Sequence, residues 1–367
     1  SLISILGMIA AVLVAYTIQP LIFRFFIAGP ASKGLPPYTL IGLIRTVLLF
    51  LLFFLVQQST VQAQHPDISR YETAYAEIAD MLDGKSSLSI KRAVFLAEWA
   101  YLDGNLDYDW FCSKIDSAVI FLHGFMKSNG LDKYKTGKNM AIIEYFFNPW
   151  SGNGHKPFIY DHNDMDSTQD FTQQFVSKLL RTHKGQCRSL PYYYKILSEA
   201  IGAEAYIAYA PIHTFIRYPN ADNLFPEDWV NVELTTHQYT PEFYYVDKFE
   251  INEKALHNKV YLHPLTDRET VAAQLSDLAF AYTVKYGVYD DFTRVCSSKS
   301  FEYYPRHYNT LITMGKSLDI AIGRYLESTG GKVDEYVLSL EKKSKELYEQ
   351  LLAMGWEQLG EEYFERL

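Results

Sequence analysis

From residue 71 onward, apolar side chains return every three or four positions. The runs YETAYAEIADML (71–82), KRAVFLAEWAYL (91–102) and WFCSKIDSAVIFLHGFMKS (110–128) therefore predict helices, the first ending at Asp83-Gly84. The period breaks in NPWSGNGHKPFIYDHNDMD (148–166), whose Gly, Asn and Asp content predicts a loop, with Ser167 as the N-cap of a helix starting near Phe171. Residues 204–210, 212–218 and 228–234 alternate apolar and polar and are rich in aromatic and β-branched types, which predicts strands. After Pro264 the helical period resumes and runs to the C-terminus. Helices, then short neighbouring strands, then helices predict an α+β fold: a helical front and an antiparallel sheet within 64–264, and a helical C-terminal tail over 265–367.

The front of the chain has a different character. Leu2–Tyr16 is apolar and continues through Gln19-Pro20 into LIFRFFIAG, and a second apolar run covers Thr46–Val56. The second run is 11 residues long, with Arg45 before it and Val61-Gln62-Ala63 after it. This is the order of a secretory signal, with cleavage expected after Ala63. The rival expectation is an uncleaved pair of membrane helices over 2–28 and 38–56, with Arg24, Lys33 and Arg45 on the cytoplasmic side. In both cases the body is exported to the periplasm or cell surface, and membrane contact is confined to residues 1–63. Because the sequence starts with Ser, residues 1–44 are also read as a fragment or mis-set start upstream of the signal.

Composition changes the picture in two places. Of 367 residues, the first 63 carry three basic and no acidic side chains, so the remainder holds 31 basic against 43 acidic ones. A body this acidic lacks the basic surface that non-specific nucleic-acid binding requires. Three cysteines, Cys112, Cys187 and Cys296, are too few for a disulfide framework. Cys112 and Cys296 fall in helical pattern and are expected to pack. The ten histidines form no His-x-x-x-His pair and there is no Cys-x-x-Cys, so no zinc site and no other metal or cofactor is expected. DHNDMD (161–166) begins like a calcium loop, but Asp166 and Thr172 stand where Gly and Glu are required, and it reads as a solvated loop. Asp83-Gly84-Lys85-Ser86 lacks the first glycine of a phosphate loop and the strand before it.

The chemistry concentrates in 183–236. Gly185-Gln186-Cys187 precedes a helical run, which puts Cys187 at a helix N-terminus, where unpaired amides and the dipole favour a thiolate; Arg188 would add to this by folding back. His213 opens a strand, with Phe215 and Arg217 on its face, and is the expected base. Asn231 and Glu233 share one face of the next strand, and either can orient the imidazole. A tetrahedral oxyanion would be held by the Cys187 backbone N–H and a second donor, with Gln186 the candidate.

The order Gly-x-Cys, Ile-Gly-Ala-Glu-Ala (201–205), Pro-x-His (211–213) and Trp-x-x-x-Glu (229–233) resembles the transglutaminase-like superfamily. The resemblance implies Cys187 as nucleophile, His213 as base and Glu233 as the acid, where the family usually has Asp, on a sheet packed against the nucleophile helix. FLAEWAYLDGNLDYDWFCSKID (95–116) is similar to the helical front of one bacterial branch, and HPLTDRETVAAQLSDLAFAY (263–282) to its passage into a tetratricopeptide-like tail. Leu278–Pro305, with a turn at Gly287, resembles one such repeat or an ordinary helical hairpin. The implied activity is thiol-dependent acyl transfer at amide bonds of a peptide or protein, to water or to an amine. Many members of that branch lack the cysteine. The rival expectation is therefore a non-catalytic peptide- or protein-binding module of the cell envelope, with a protein partner on the tail.

Overall fold

The computed structural model describes residues 67–165 and 167–357. The signal or membrane segments expected within 1–63 lie outside these residues. Among the described residues no helix is long and apolar enough to cross a membrane.

Four helices come first: α1 (Ser69–Leu82), α2 (Ile90–Tyr101), α3 (Tyr108–Asn129) and α4 (Gly137–Phe147). Each of the predicted helical runs lies in one of the first three. Side chains set their starts: the Ser89 hydroxyl accepts from Arg92 N–H to cap α2, and the Asp107 carboxylate accepts from Trp110 N–H to cap α3. The loop after α4 carries strand β1 (Ile159–Tyr160), which pairs in parallel with β2 (Lys184–Gly185), placing Tyr160 opposite Gly185. Between these strands lies α5 (Val176–Thr182). Its start differs from the expectation of a Ser167 cap near Phe171. Asp170 instead caps a short 3₁₀ turn at Phe171–Gln174. The amides of Val176 and Ser177 donate to the buried carboxylate of Glu98, reaching across from α2 at 2.6 and 2.9 Å. A carboxylate satisfies two unpaired amides at once, which the more distant Ser167 hydroxyl cannot do.

Helix α6 (Ser189–Ile201) follows β2 directly and is the central helix of the molecule. Residues 190–198 are buried without interruption, including Tyr192, Tyr193 and Tyr194. Their hydroxyls are satisfied by Tyr209, Tyr145 and Asn139 respectively. Much of the aromatic surplus is spent in this way, as interior packing. A four-stranded antiparallel meander then runs β3 (Tyr206–Ala210), β4 (His213–Pro219), β5 (Trp229–Glu233) and β6 (Gln238–Thr240).

The sheet is covered on both sides. Ile207, Ile216, Val230 and Val232 join α1–α4, α6 and α9 (Asp267–Tyr286) in the main core. On the opposite side, Ala208, Ala210 and Phe215 pack with α7 (Glu242–Lys248), α8 (Glu253–His257) and three tail residues, Leu311, Leu351 and Met354. The tail continues as α10 (Asp291–Tyr303), α11 (Tyr308–Thr329) and α12 (Glu335–Met354), consecutive helices packed on one another. Leu278–Pro305 is thus a helical hairpin, turning at Gly287 with a left-handed φ of 68°. The described residues form one compact unit, and the 264/265 boundary is not a gap, because α9 packs on α1 and α2. The architecture is α+β.

Candidate active site

Three segments converge where the chain passes from β2 to α6. Gly185 is required there by close packing: a Cβ would stand 2.6 Å from Ser189 Oγ and 2.9 Å from Leu179 Cδ1. The Ser189 hydroxyl accepts from Gln186 N–H at 2.9 Å, closing the turn that presents Cys187 immediately before the helix. Cys187 is partly exposed, with Sγ 3.9 Å from the Ile212 carbonyl oxygen. Cys296 is fully buried in α10, and Cys112 lies partly buried in α3.

Ile212 belongs to the two-residue Pro211-Ile212 turn between β3 and β4 and has φ of 52°. A β-branched residue pays steric strain in that region, and such strain persists where surrounding packing imposes it. The turn delivers His213 as the first residue of β4. Its Nε2 lies 2.7 Å from Glu233 Oε2, and the two side chains are 12% and 3% exposed. With the Nε2–H donated to the carboxylate, Nδ1 is the ring nitrogen left for the thiol, and Cys187 is near enough to act electrostatically on the ring.

The electrostatics follow from this contact. Burial lowers the His213 basicity, but the Glu233 charge and the hydrogen bonds to Cys187 and Glu233 carry its pKa up from 6.5 to about 10. Burial likewise disfavours the Glu233 carboxylate. The His213 charge, with hydrogen bonds from His213 and Thr235, overcomes that and holds its pKa below the ordinary 4.5. Thr235 donates both its N–H and its hydroxyl to Oε1, at 3.1 and 2.6 Å. The Tyr160 phenol, held beside the site by β1, is pushed up to about 12 by burial and by the neighbouring Cys187 and Glu233 charges.

Cys187, His213 and Glu233 are therefore brought together, and the other expected participants are not. Asn231 lies on the same face of β5, but it stands level with Arg217 and its Nδ2 donates to the Thr240 carbonyl at 3.1 Å. Gln186 is buried and committed elsewhere. Its Oε1 accepts from Ser167 Oγ and its Nε2 donates to the Asp164 carbonyl, at 2.9 and 2.8 Å, so it anchors the 161–167 loop and is not the oxyanion donor. Arg188 does not fold back on the thiol. Its guanidinium pairs with Asp277 of α9 at 2.6 Å and with Gln274 at 3.2 Å, because a carboxylate offers it stronger compensation than a helix end. In the 161–166 loop, Asp161 is paired with Lys178, and Asp164 accepts from the Gln169 and Asp170 amides.

Two groups at the site were not anticipated. Phe249, just past α7, stacks on the His213 ring with centroids 5.1 Å apart at 16°. The Tyr245 hydroxyl reaches Glu233 Oε2 at 3.3 Å. Their four-residue spacing, one helical turn on a single face, was the available signal. No family model, curated protein or solved structure matches this chain.

Proposed function

We propose that this protein is a thiol-dependent amide hydrolase or acyltransferase, with Cys187 as nucleophile, His213 as general base and acid, and Glu233 as the group that orients the imidazole. The observation that carries the reading is the buried 2.7 Å contact between His213 Nε2 and Glu233 Oε2. It leaves the other ring nitrogen free to serve a partly exposed cysteine at a helix start. An acidic partner, a polarised imidazole and an accessible thiol are the parts an activated sulfur nucleophile requires.

In the proposed reaction, Cys187 and His213 rest as a thiolate–imidazolium pair, the thiol proton being held on His213 Nδ1, and the thiolate sulfur attacks the amide carbonyl carbon. The C–N bond breaks as the His213 imidazolium returns that proton to the leaving amine, leaving a thioester on Cys187. Water or a second amine then attacks the thioester, passing its proton to His213, and the sulfur departs. The Cys187 backbone N–H is the proposed oxyanion donor. The order Cys187, His213, Glu233 on helix, strand and strand supports a transglutaminase-like core as the finer fold assignment. The apolar front over 1–63 supports an exported or envelope-anchored protein acting on peptide or protein amides.

The test is alkylation of Cys187 by iodoacetamide as a function of pH, with labelled peptides identified by mass. His213→Ala should remove the reactivity seen below neutral pH. Parallel assays on peptide, isopeptide and cell-wall amide substrates should give turnover that Cys187→Ala abolishes. Labelling that is identical in wild type and His213→Ala would refute the catalytic pair and leave a binding module.

A further inference from the structure

Glu233 Oε2 is a shared acceptor. It takes the His213 Nε2–H at 2.7 Å and the Tyr245 hydroxyl at 3.3 Å. The Thr240 hydroxyl in turn donates to the Tyr245 oxygen at 2.9 Å, so the phenol proton is left pointing at the carboxylate. The backbone carbonyl of the same Thr240 is held by Asn231 Nδ2 at 3.1 Å. Tyr245 itself is locked in place. It is fully buried, and its ring lies parallel to Phe215 with centroids 3.9 Å apart at 16°. The next aromatic on that helical face, Phe249, covers the imidazole.

We propose that Tyr245 is a positioning residue for the His213–Glu233 pair: its hydroxyl, oriented by Thr240, fixes the carboxylate oxygen that His213 uses and, by competing for it, moderates how strongly that oxygen holds the imidazole proton. This rests on the catalytic assignment above, but concerns the pair itself. Burial and the Glu233 charge push the phenol well above its ordinary value, so it remains a donor throughout the range in which His213 titrates. The other titratable groups facing the pair are Cys187 at the start of α6, Tyr160 on β1 and Tyr244 on α7. Arg217 lies further along the same face of β4, bound to the Leu262 carbonyl and to Glu242.

Removing one of two donors strengthens the acceptor for the other. A hydrogen bond of ordinary net strength is worth roughly a fivefold change in an ionisation constant, or about 0.7 pH. The experiment is an NMR titration of His213 in the full chain labelled with ¹⁵N-histidine, comparing wild type, Tyr245→Phe and Glu233→Gln. In Tyr245→Phe the His213 titration should move to higher pH by about that amount and the Nε2–H resonance should move downfield, whereas Glu233→Gln should move the titration down. Thr240→Val, which leaves the phenol but removes the donor that aims it, should shift the titration in the same direction by less, and serves if Tyr245→Phe does not fold. A His213 titration unchanged or moved down in Tyr245→Phe, or in Thr240→Val where that variant stands in, overturns the proposal. The readout is independent of turnover. Failure of His213→Ala to alter Cys187 labelling would refute the catalytic reading while leaving this result to stand or fall on its own.

Discussion

Replacing Glu233 by Gln should produce a stability loss whose size depends on pH in a direction fixed by the geometry. In the native protein the His213 pKa rises from 6.5 to about 10, which corresponds to on the order of 5 kcal/mol of preference for the imidazolium. A raised value contributes stability that is complete below 6.5 and is lost as pH climbs through 10. Glu233 is lowered from 4.5, so its share is present above that value and is lost as pH falls through its native value. The pair therefore stabilises the fold most between about pH 4.5 and 6.5. Breaking a buried pair by removing one charge costs roughly 3–5 kcal/mol. The Cys187 contact also supports His213, which places the expected loss near the lower end, about 3 kcal/mol. Between pH 6.5 and 9 the wild type should lose up to about 1.4 kcal/mol per pH unit from this group, so the two proteins should converge. Urea unfolding at half-unit pH steps, with m compared between the two proteins, measures this directly. A Glu233→Gln difference that is flat from pH 5 to 9 would show that His213 does not hold its proton through Glu233.

Two further substitutions probe the scaffold that presents the site. Gly185→Ala forces a methyl group to 2.6 Å from the Ser189 hydroxyl and 2.9 Å from Leu179; it should cost about 1–3 kcal/mol of overpacking, and slow Cys187 alkylation by disturbing the turn, both measurable on one preparation. Glu98→Ala leaves the Val176 and Ser177 amides without their acceptor; a loss of about 2–4 kcal/mol in urea unfolding is expected, with Glu98→Gln losing less because its amide oxygen still accepts one of them.

Local periodicity carried the sheet almost to the residue. The strands expected over 204–210, 212–218 and 228–234 lie at 206–210, 213–219 and 229–233. One face of this sheet packs on α6 and the other on α7 and α8, so most strand positions are buried, and the aromatic and β-branched runs are what made the strands legible. Strand β6 left no such trace: it is three residues long, Gln238 and Tyr239 are exposed, and its pairing with β5 is what makes it a strand. The tail was legible as helices but not as part of the same body. Nothing in the sequence of α9 announces that Asp277 will neutralise Arg188, 89 residues earlier.

The site divides along the same line. A helix-start cysteine and a strand-start histidine are local facts, readable from 183–218. The acid was readable only as a pair of alternatives, because Asn231 and Glu233 share a face and period two cannot say which one stands opposite His213. Register decides it. Residues 231 and 217 are paired across β4 and β5, so Asn231 stands level with Arg217, and Glu233 is carried toward the His213 end of β4. The added methylene of Glu relative to Asp is no obstacle at this position, since the carboxylate spans both His213 and Thr235. The roles expected of Gln186 and Arg188 failed for a different reason. Each is a strong hydrogen-bonding group beside Cys187, and each was claimed by a partner distant in sequence, Gln186 by the Asp164 carbonyl and Arg188 by α9. The residues adjacent to Cys187 in sequence are thereby spent on anchoring its turn. The groups packed on the pair, Tyr245 and Phe249, lie in α7 and at its end, more than thirty positions after His213, visible only once the sheet has brought that helix over the imidazole.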